Sequence, residues 1–281
     1  MIDWTHWHNE PVLIGGLIFL GWLYAILTGP LRDRVLTCGN QSRTSNFEPR
    51  SPASYPRGHA IRFYAALVIF YLAVGSPLDQ AGERYLLSAH MLQHQLIIYP
   101  AALLFLLGLP DWLVRPLTGL PGLRPVFRVL TSPIVCGMIY IAVLTGWHMP
   151  LLYDLALQNR PIHIAEHFTM FGAALFYWWP LASPSRDFPP ASYAAQMLYL
   201  PAVLIGMTPV FAYITFSQEV LYPTYEDAPR ITSLTAAGDQ LLAGTMMKLV
   251  GMAVAITAFG VSFYRWYQAT EKKHPALGRE K

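Results

Sequence analysis

Apolar stretches of about 20 residues recur along this chain with charge kept largely to the connections, and no other feature limits its fold as tightly. An α-helix needs roughly 20 such residues to cross a ~30 Å hydrocarbon core, and a spanning segment must satisfy its own backbone hydrogen bonds. Seven segments meet the requirement: Pro11–Leu27, Ala60–Val74, Tyr85–Leu107, Val129–Trp147, Ile162–Leu181, Tyr193–Phe216 and Ala236–Phe263. They predict an all-α, polytopic membrane protein with seven transmembrane helices, forming one domain over residues 1–281. Of the 281 residues, 54% are hydrophobic and 12% charged, against about 25% charged in an ordinary soluble domain. A soluble globule is thereby excluded. The net charge of +3 gives no reason to expect a nucleic-acid partner.

Seven spans put the termini on opposite sides of the bilayer, and the loops decide which. Fifteen Lys and Arg fall in the tail and around the connections that follow spans one, three and five. Arg84, Arg160 and Arg230 lie on the other side, with Lys248 inside span seven. The positive-inside rule then places the N-terminus outside and the C-terminus in the cytoplasm. Met1 to Glu10 carries no Lys or Arg and no small-residue cleavage site, so the first span reads as permanent. Residues 30–58, rich in Arg, Ser, Pro and Asn, read as a flexible cytoplasmic loop in which Cys38 is a reduced thiol. Cys38 and Cys136 form no CxxC pair. Pro161 suits the first turn of span five, and Trp178 and Trp179 are expected in the aromatic belt that closes it. Pro100, Pro201 and Pro209 predict kinks inside spans.

Five of the nine histidines, His90, His94, His148, His163 and His167, belong to spans or span ends. An ionisable side chain there is costly and marks function by default. His90 and His94 are four apart on one helix, as are His163 and His167, so each pair projects from one face a turn apart. At this histidine content chance supplies about 0.3 such pairs. Spans three and five both enter from outside. A rise of 1.5 Å per residue puts one pair roughly 10–16 Å down and the other roughly 3–9 Å down. His148 ends span four in the same outer layer. Asp239 and Gln240, at the outer start of span seven, and Glu166 beside His167 supply carboxylates and an amide able to orient the imidazoles. A metal site is the expectation.

Imidazole suits Zn, Cu, Fe and Ni, and thioether adds a preference for Cu(I). Met91, Met149 and Met170 stand close in sequence to His90, His148 and His167, which favours copper, with Met91 and Met170 behind the ligands. Zinc, iron and haem stay open. The string His163-Ile164-Ala165-Glu166-His167 also matches H-x-x-E-H, in which the Glu activates water on zinc. A metal-dependent membrane hydrolase or oxidoreductase using Glu166 or Asp239 is therefore the alternative. A haem-binding membrane cytochrome is a further one, although an i,i+4 pair points both rings the same way, so a haem would need one His from each pair. A transporter would need ligands through the inner half, where only Lys248, Cys136 and scattered Met and Tyr are available.

The string His90-Met91-Leu92-Gln93-His94, followed by Leu107-Gly108-Leu109-Pro110, resembles the H-M-x-Q-H helix of the seven-span CtaG family of cytochrome c oxidase assembly factors. Trp147-His148-Met149-Pro150 with Tyr153, the His163–His167 string with Trp178-Trp179-Pro180, and Asp239-Gln240 with Ala243-Gly244 extend the likeness over roughly residues 85–265. Residues 1–84, with His6 and His8, show no such match. The resemblance implies a role in maturing a haem-copper oxidase of the bacterial cytoplasmic membrane, supplying copper to its catalytic subunit. The implied partners are that subunit and a copper donor protein on the outer side. It implies an assembly factor and does not extend to a specific reaction.

Overall fold

The computed structural model describes residues 5, 7, 10–40, 56–120 and 122–273, with the side chains of 37–40 outside the description. His6, His8, the side chain of Cys38 and residues 41–55 of the expected cytoplasmic loop therefore lie outside the described residues. Among the described residues all regular structure is helical. In chain order the helices are α1 Pro11–Thr28, α2 Arg32–Asn40, α3 Arg57–Gly75, α4 Pro77–Arg84 and α5 Leu87–Leu96. A π-helical turn, Ile97–Ala101, joins α5 to α6 Ala102–Gly108, and α7 Asp111–Thr118 and α8 Arg124–Leu130 follow. Then come α9 Pro133–Trp147, α10 Pro150–Gln158, α11 Arg160–Ala182, α12 Tyr193–Gly206, α13 Thr208–Phe216, α14 Pro223–Glu226 and α15 Ala236–Lys273.

The distribution of polarity is that of a membrane protein. Val12, Ile61, Leu198, Ile205 and Phe216 are each at least 70% exposed, while Asp79, His90, Gln93, His94, Glu166 and Asp239 are at most 1% exposed. Water would reward the opposite arrangement. Five helical segments are long and apolar enough to cross a bilayer: Pro11–Thr28, Arg57–Gly75, Leu87–Gly108, Tyr193–Phe216 and Ala236–Lys272. The pair α8 and α9, bent by 66°, makes a sixth if it is one span. Helix α11 has 23 residues but falls outside this set, because His163, Glu166 and His167 lower its mean hydropathy.

Packing follows the 3.6-residue period. Ala60, Phe63, Ala66, Phe70, Ala73 and Val74 bury one face of α3, leaving Ile61, Val68 and Leu72 outward. That face meets α6, α1 and the π-helical turn. Tyr24 of α1 stacks on Phe63 at 4.0 Å between ring centroids and donates a hydrogen bond to the Gly108 carbonyl at 2.9 Å. Gly108 is required there, since a Cβ would lie 2.7 Å from the Cα of Phe63. The main core lies between α5, α9, α11, α12, α13 and α15 around Tyr140, Leu144, Tyr177, Leu200 and Phe211.

Several sequence expectations change. Arg32–Asn40, expected to be loop, is helix α2; Asp33 sits in its first turn, it packs on α7, and Arg32 lies over the Trp112 ring at 5.5 Å. Trp178 is not in an interfacial belt: it is buried and donates from Nε1 to the Ile98 carbonyl at 2.9 Å, inside the π-helical turn that accommodates Pro100. Helix α12 runs through Pro201, and the break falls at Met207, with Pro209 in the first turn of α13. Lys248 donates from Nζ to Thr208 Oγ1 at 2.8 Å.

Candidate metal centre

Two helix starts at equal height build the site. Span three begins at Leu87, two residues later than its hydropathy suggests, because Pro77–Arg84 forms the separate helix α4 before it. His90 therefore stands three residues into α5, as His163 stands three residues into α11. Helix α5 has no capping side chain of its own. Its cap is Asp239 of α15, which accepts from Leu87 N at 2.7 Å, Ser88 N at 3.3 Å and Ser88 Oγ at 2.5 Å. The same carboxylate lies in the first turn of α15, so one negative charge faces two helix N-termini. This differs from the expected orientation of a histidine by Asp239.

Imidazoles converge above that cap. His90 Nε2 and His94 Nε2 are 2.9 Å apart. Glu166 Oε2 lies 3.8 Å from His90 Nε2, and its Oε1 lies 3.6 Å from His94 Nε2. With His167, these residues present four ligand atoms all within 4.8 Å of one another, every one on a buried side chain. Ligands on a tetrahedral ion with bonds of ~2.0–2.1 Å lie about 3.3 Å apart, a spacing that the 2.9, 3.6 and 3.8 Å separations bracket. The ring of His94 is 5.5 Å from that of His167 and 5.5 Å from that of His148, between centroids.

The hydrogen-bond pattern overlaps with this group at Glu166 and His167. His94 Nδ1, His148 Nε2, His163 Nε2, His167 Nε2 and both oxygens of Glu166 are buried without a hydrogen-bond partner. A buried polar atom left unpaired costs about 1–3 kcal/mol, so such atoms are rare unless something takes their lone pairs. His148 Nδ1 meets the Leu144 carbonyl at 2.7 Å, which turns Nε2 inward as a carbonyl does for a metal-bound imidazole. His163 is placed apart from the first group: its Nδ1 meets Glu83 Oε1 at 2.8 Å, and it joins Asp79 and His167 in a second group of three ligand atoms within 4.8 Å. Met91 and Met170 are buried in the main core beside Leu87, Tyr153 and Ala173, and Met149 is half-exposed.

Residues that the histidine pattern passes over complete the surroundings. Arg160 bonds Glu10 Oε1 at 2.7 Å and Asp79 Oδ2 at 3.2 Å and also pairs with Glu83, tying the entry to α1, helix α4 and the start of α11 together. Gln93, inside the His90–His94 string, donates to Asp79 Oδ1 at 2.7 Å and to the Ala73 carbonyl at 2.9 Å. Tyr225 donates to the Gly82 carbonyl at 2.6 Å and lies 3.4 Å from His90 Nδ1. Asp79 and Glu83 carry the same i,i+4 spacing as the histidine pairs, a pattern legible in the sequence.

Fold and site together define a multi-pass helical membrane protein with a buried imidazole and carboxylate cluster able to hold a metal ion. Residues 22–269 match the family described as cytochrome c oxidase caa3 assembly factor, Caa3_CtaG, and the chain belongs to it. The match bears out the resemblance and extends it towards the N-terminus over α3 and α4, taking in Asp79 and Glu83. An oxidase is accordingly the implied partner. No curated protein and no solved structure matches the chain.

Proposed function

We propose that this protein spans the bacterial cytoplasmic membrane seven times, N-terminus outside and C-terminus in the cytoplasm. It holds copper as cargo in the His90, His94, Glu166 and His167 cluster for delivery to the catalytic subunit of a haem-copper oxidase. The observation that carries the reading is the convergence of four buried ligand atoms within 4.8 Å of one another, with both oxygens of Glu166 left without a hydrogen-bond partner. Seven spans are supported by the length of α11, whose 23 residues reach about 35 Å at 1.5 Å each. The fifteen-to-three division of Lys and Arg supports the orientation, which sets the cluster in the outer half of the bilayer, open to a copper donor on that side.

Copper is favoured over zinc or iron by the methionines near the histidines in sequence, and when bound it would be the cargo transferred. A haem would need one histidine from each pair on opposite faces of the iron, whereas His90 Nε2 and His94 Nε2, 2.9 Å apart, both face the carboxylate of Glu166. A metal-dependent hydrolase is the second reading, favoured by the two unpartnered oxygens of Glu166, which could take a proton from water. Purified protein that turns over a substrate while retaining its metal would favour that reading.

The test compares wild type with a His94→Ala, His167→Ala double variant. Purified wild type should carry copper and the variant should not. In a deletion strain the variant should leave oxidase activity as low as in the deletion itself, with oxidase transcripts and membrane levels of the variant unchanged. Full oxidase activity and wild-type copper content in the double variant would reject the proposal. For topology, cysteines introduced singly at Asn159 and Ser45 should be labelled from outside at the former alone.

A further inference from the structure

Besides the group of His90, His94, Glu166 and His167, a second set of ligand atoms stands at the mouth of a pocket. The pocket opens between α1, α3 and α11 and is lined by Leu13, Phe70 and Phe168 as well as by Asp79, His163 and His167. Glu10 and Arg160 line it too, so the one cation on this wall is already held by carboxylates. Asp79, His163 and His167 present ligand atoms all within 4.8 Å of one another on buried side chains. His163 is arranged as a ligand: Glu83 takes its Nδ1 at 2.8 Å, and its Nε2 is buried without a partner. A carboxylate on one imidazole nitrogen fixes the tautomer that offers a lone pair at the other. Asp79 accepts bonds from Gln93 and Arg160, which hold its carboxylate in place on this wall.

His167 belongs to both groups, and its unpartnered nitrogen is Nε2. A neutral imidazole offers one lone pair, which serves one ion at a time. The two positions therefore hold a single ion in turn. Between them, transfer exchanges Asp79 and His163 for His90, His94 and Glu166 while His167 stays attached. An ion that keeps one ligand throughout is never released into the low-dielectric interior, where an unpaired charge is prohibitively costly.

Resting on the reading that the cluster holds a metal cargo, we propose that Asp79, His163 and His167 form an outer loading position, reached through the pocket between α1, α3 and α11, from which the ion passes to His90, His94 and Glu166 by ligand exchange about His167. The ion is of the class that imidazole binds, and Cu(I), supplied anaerobically, is the probe.

Purified wild type should bind one Cu(I) per chain after desalting, measured by elemental analysis. A His90→Ala, His94→Ala double variant should still retain one Cu(I), released more readily to a chelator, and adding His163→Ala should abolish it. In stopped-flow uptake, His163→Gln, which keeps a donor for Glu83, should fill at least about tenfold more slowly than wild type. Loss of all copper from the double variant, two ions in the wild type, or uptake by His163→Gln at the wild-type rate would each overturn the loading position while leaving copper binding intact. A wild type that binds no Cu(I) would reject the metal-cargo reading itself, and the loading position with it.

Discussion

Replacing Asp239 by Ala tests how the site is held in place, because this side chain touches no histidine and yet anchors the helix that carries two of them. The carboxylate accepts from Leu87 N at 2.7 Å, Ser88 N at 3.3 Å and Ser88 Oγ at 2.5 Å and is 1% exposed. Loss of a helix cap costs about 0.5–2 kcal/mol, and a buried donor left unpaired costs about 1–3 kcal/mol. The Ser88 hydroxyl can turn to another acceptor, so the sum expected for Asp239→Ala is about 2–4 kcal/mol. At ~2–4 °C per kcal/mol for a chain of this size, thermal unfolding in detergent should fall by roughly 4–16 °C. Asp239→Asn keeps one acceptor oxygen and should lose about half as much. Thr257→Ala, which removes a hydroxyl bonded to the Ala253 carbonyl of its own helix, should move the midpoint little. His90 lies three residues beyond Leu87, so Cu(I) retention should fall with stability in Asp239→Ala and recover partly in Asp239→Asn. An Asp239→Ala protein that unfolds with the wild type would refute the assignment of Asp239 as the cap of α5.

Three further outcomes follow from the geometry. Glu166→Gln, which removes the charge of a carboxylate 3.6 and 3.8 Å from two imidazoles, should weaken Cu(I) retention at least about tenfold by chelator competition, with little change in folding. Gly82→Val should cost about 1–3 kcal/mol and displace α4 from α5, since a Cβ at Gly82 would lie 2.9 Å from His90 Cα and 3.0 Å from its N. Gly58→Val, where nothing lies within 4 Å, is its control, and equal unfolding midpoints would count against the close approach. Lys248→Met, which breaks the contacts with Thr208, Leu204 and the Phe211 ring, should leave copper content and oxidase activity within about twofold of wild type. A collapse of either would implicate Lys248 in a path through the inner half.

What the sequence determined alone is local. Apolar length marks the helical segments, since a helix satisfies its own backbone, and a spacing of four puts His90 beside His94 and His163 beside His167, with ring centroids 4.4 and 4.3 Å apart. Tertiary structure decided what lies far apart in the chain. The insertion of α4 starts α5 at Leu87 and brings His90 level with His163, which hydropathy cannot register because the apolar run begins earlier. Asp239 reaches across to α5, 152 residues away, and Arg160 reaches Glu10, 150 residues away. A carboxylate at a helix start reads the same in sequence whether it caps its own helix or another. His163 shows the limit most clearly: its spacing groups it with His167, but Glu83 on α4 takes its Nδ1, and it joins Asp79 and His167 in a second group of ligand atoms. Periodicity fixes which face a side chain occupies, whereas the packing of a second helix against that face fixes what the side chain meets.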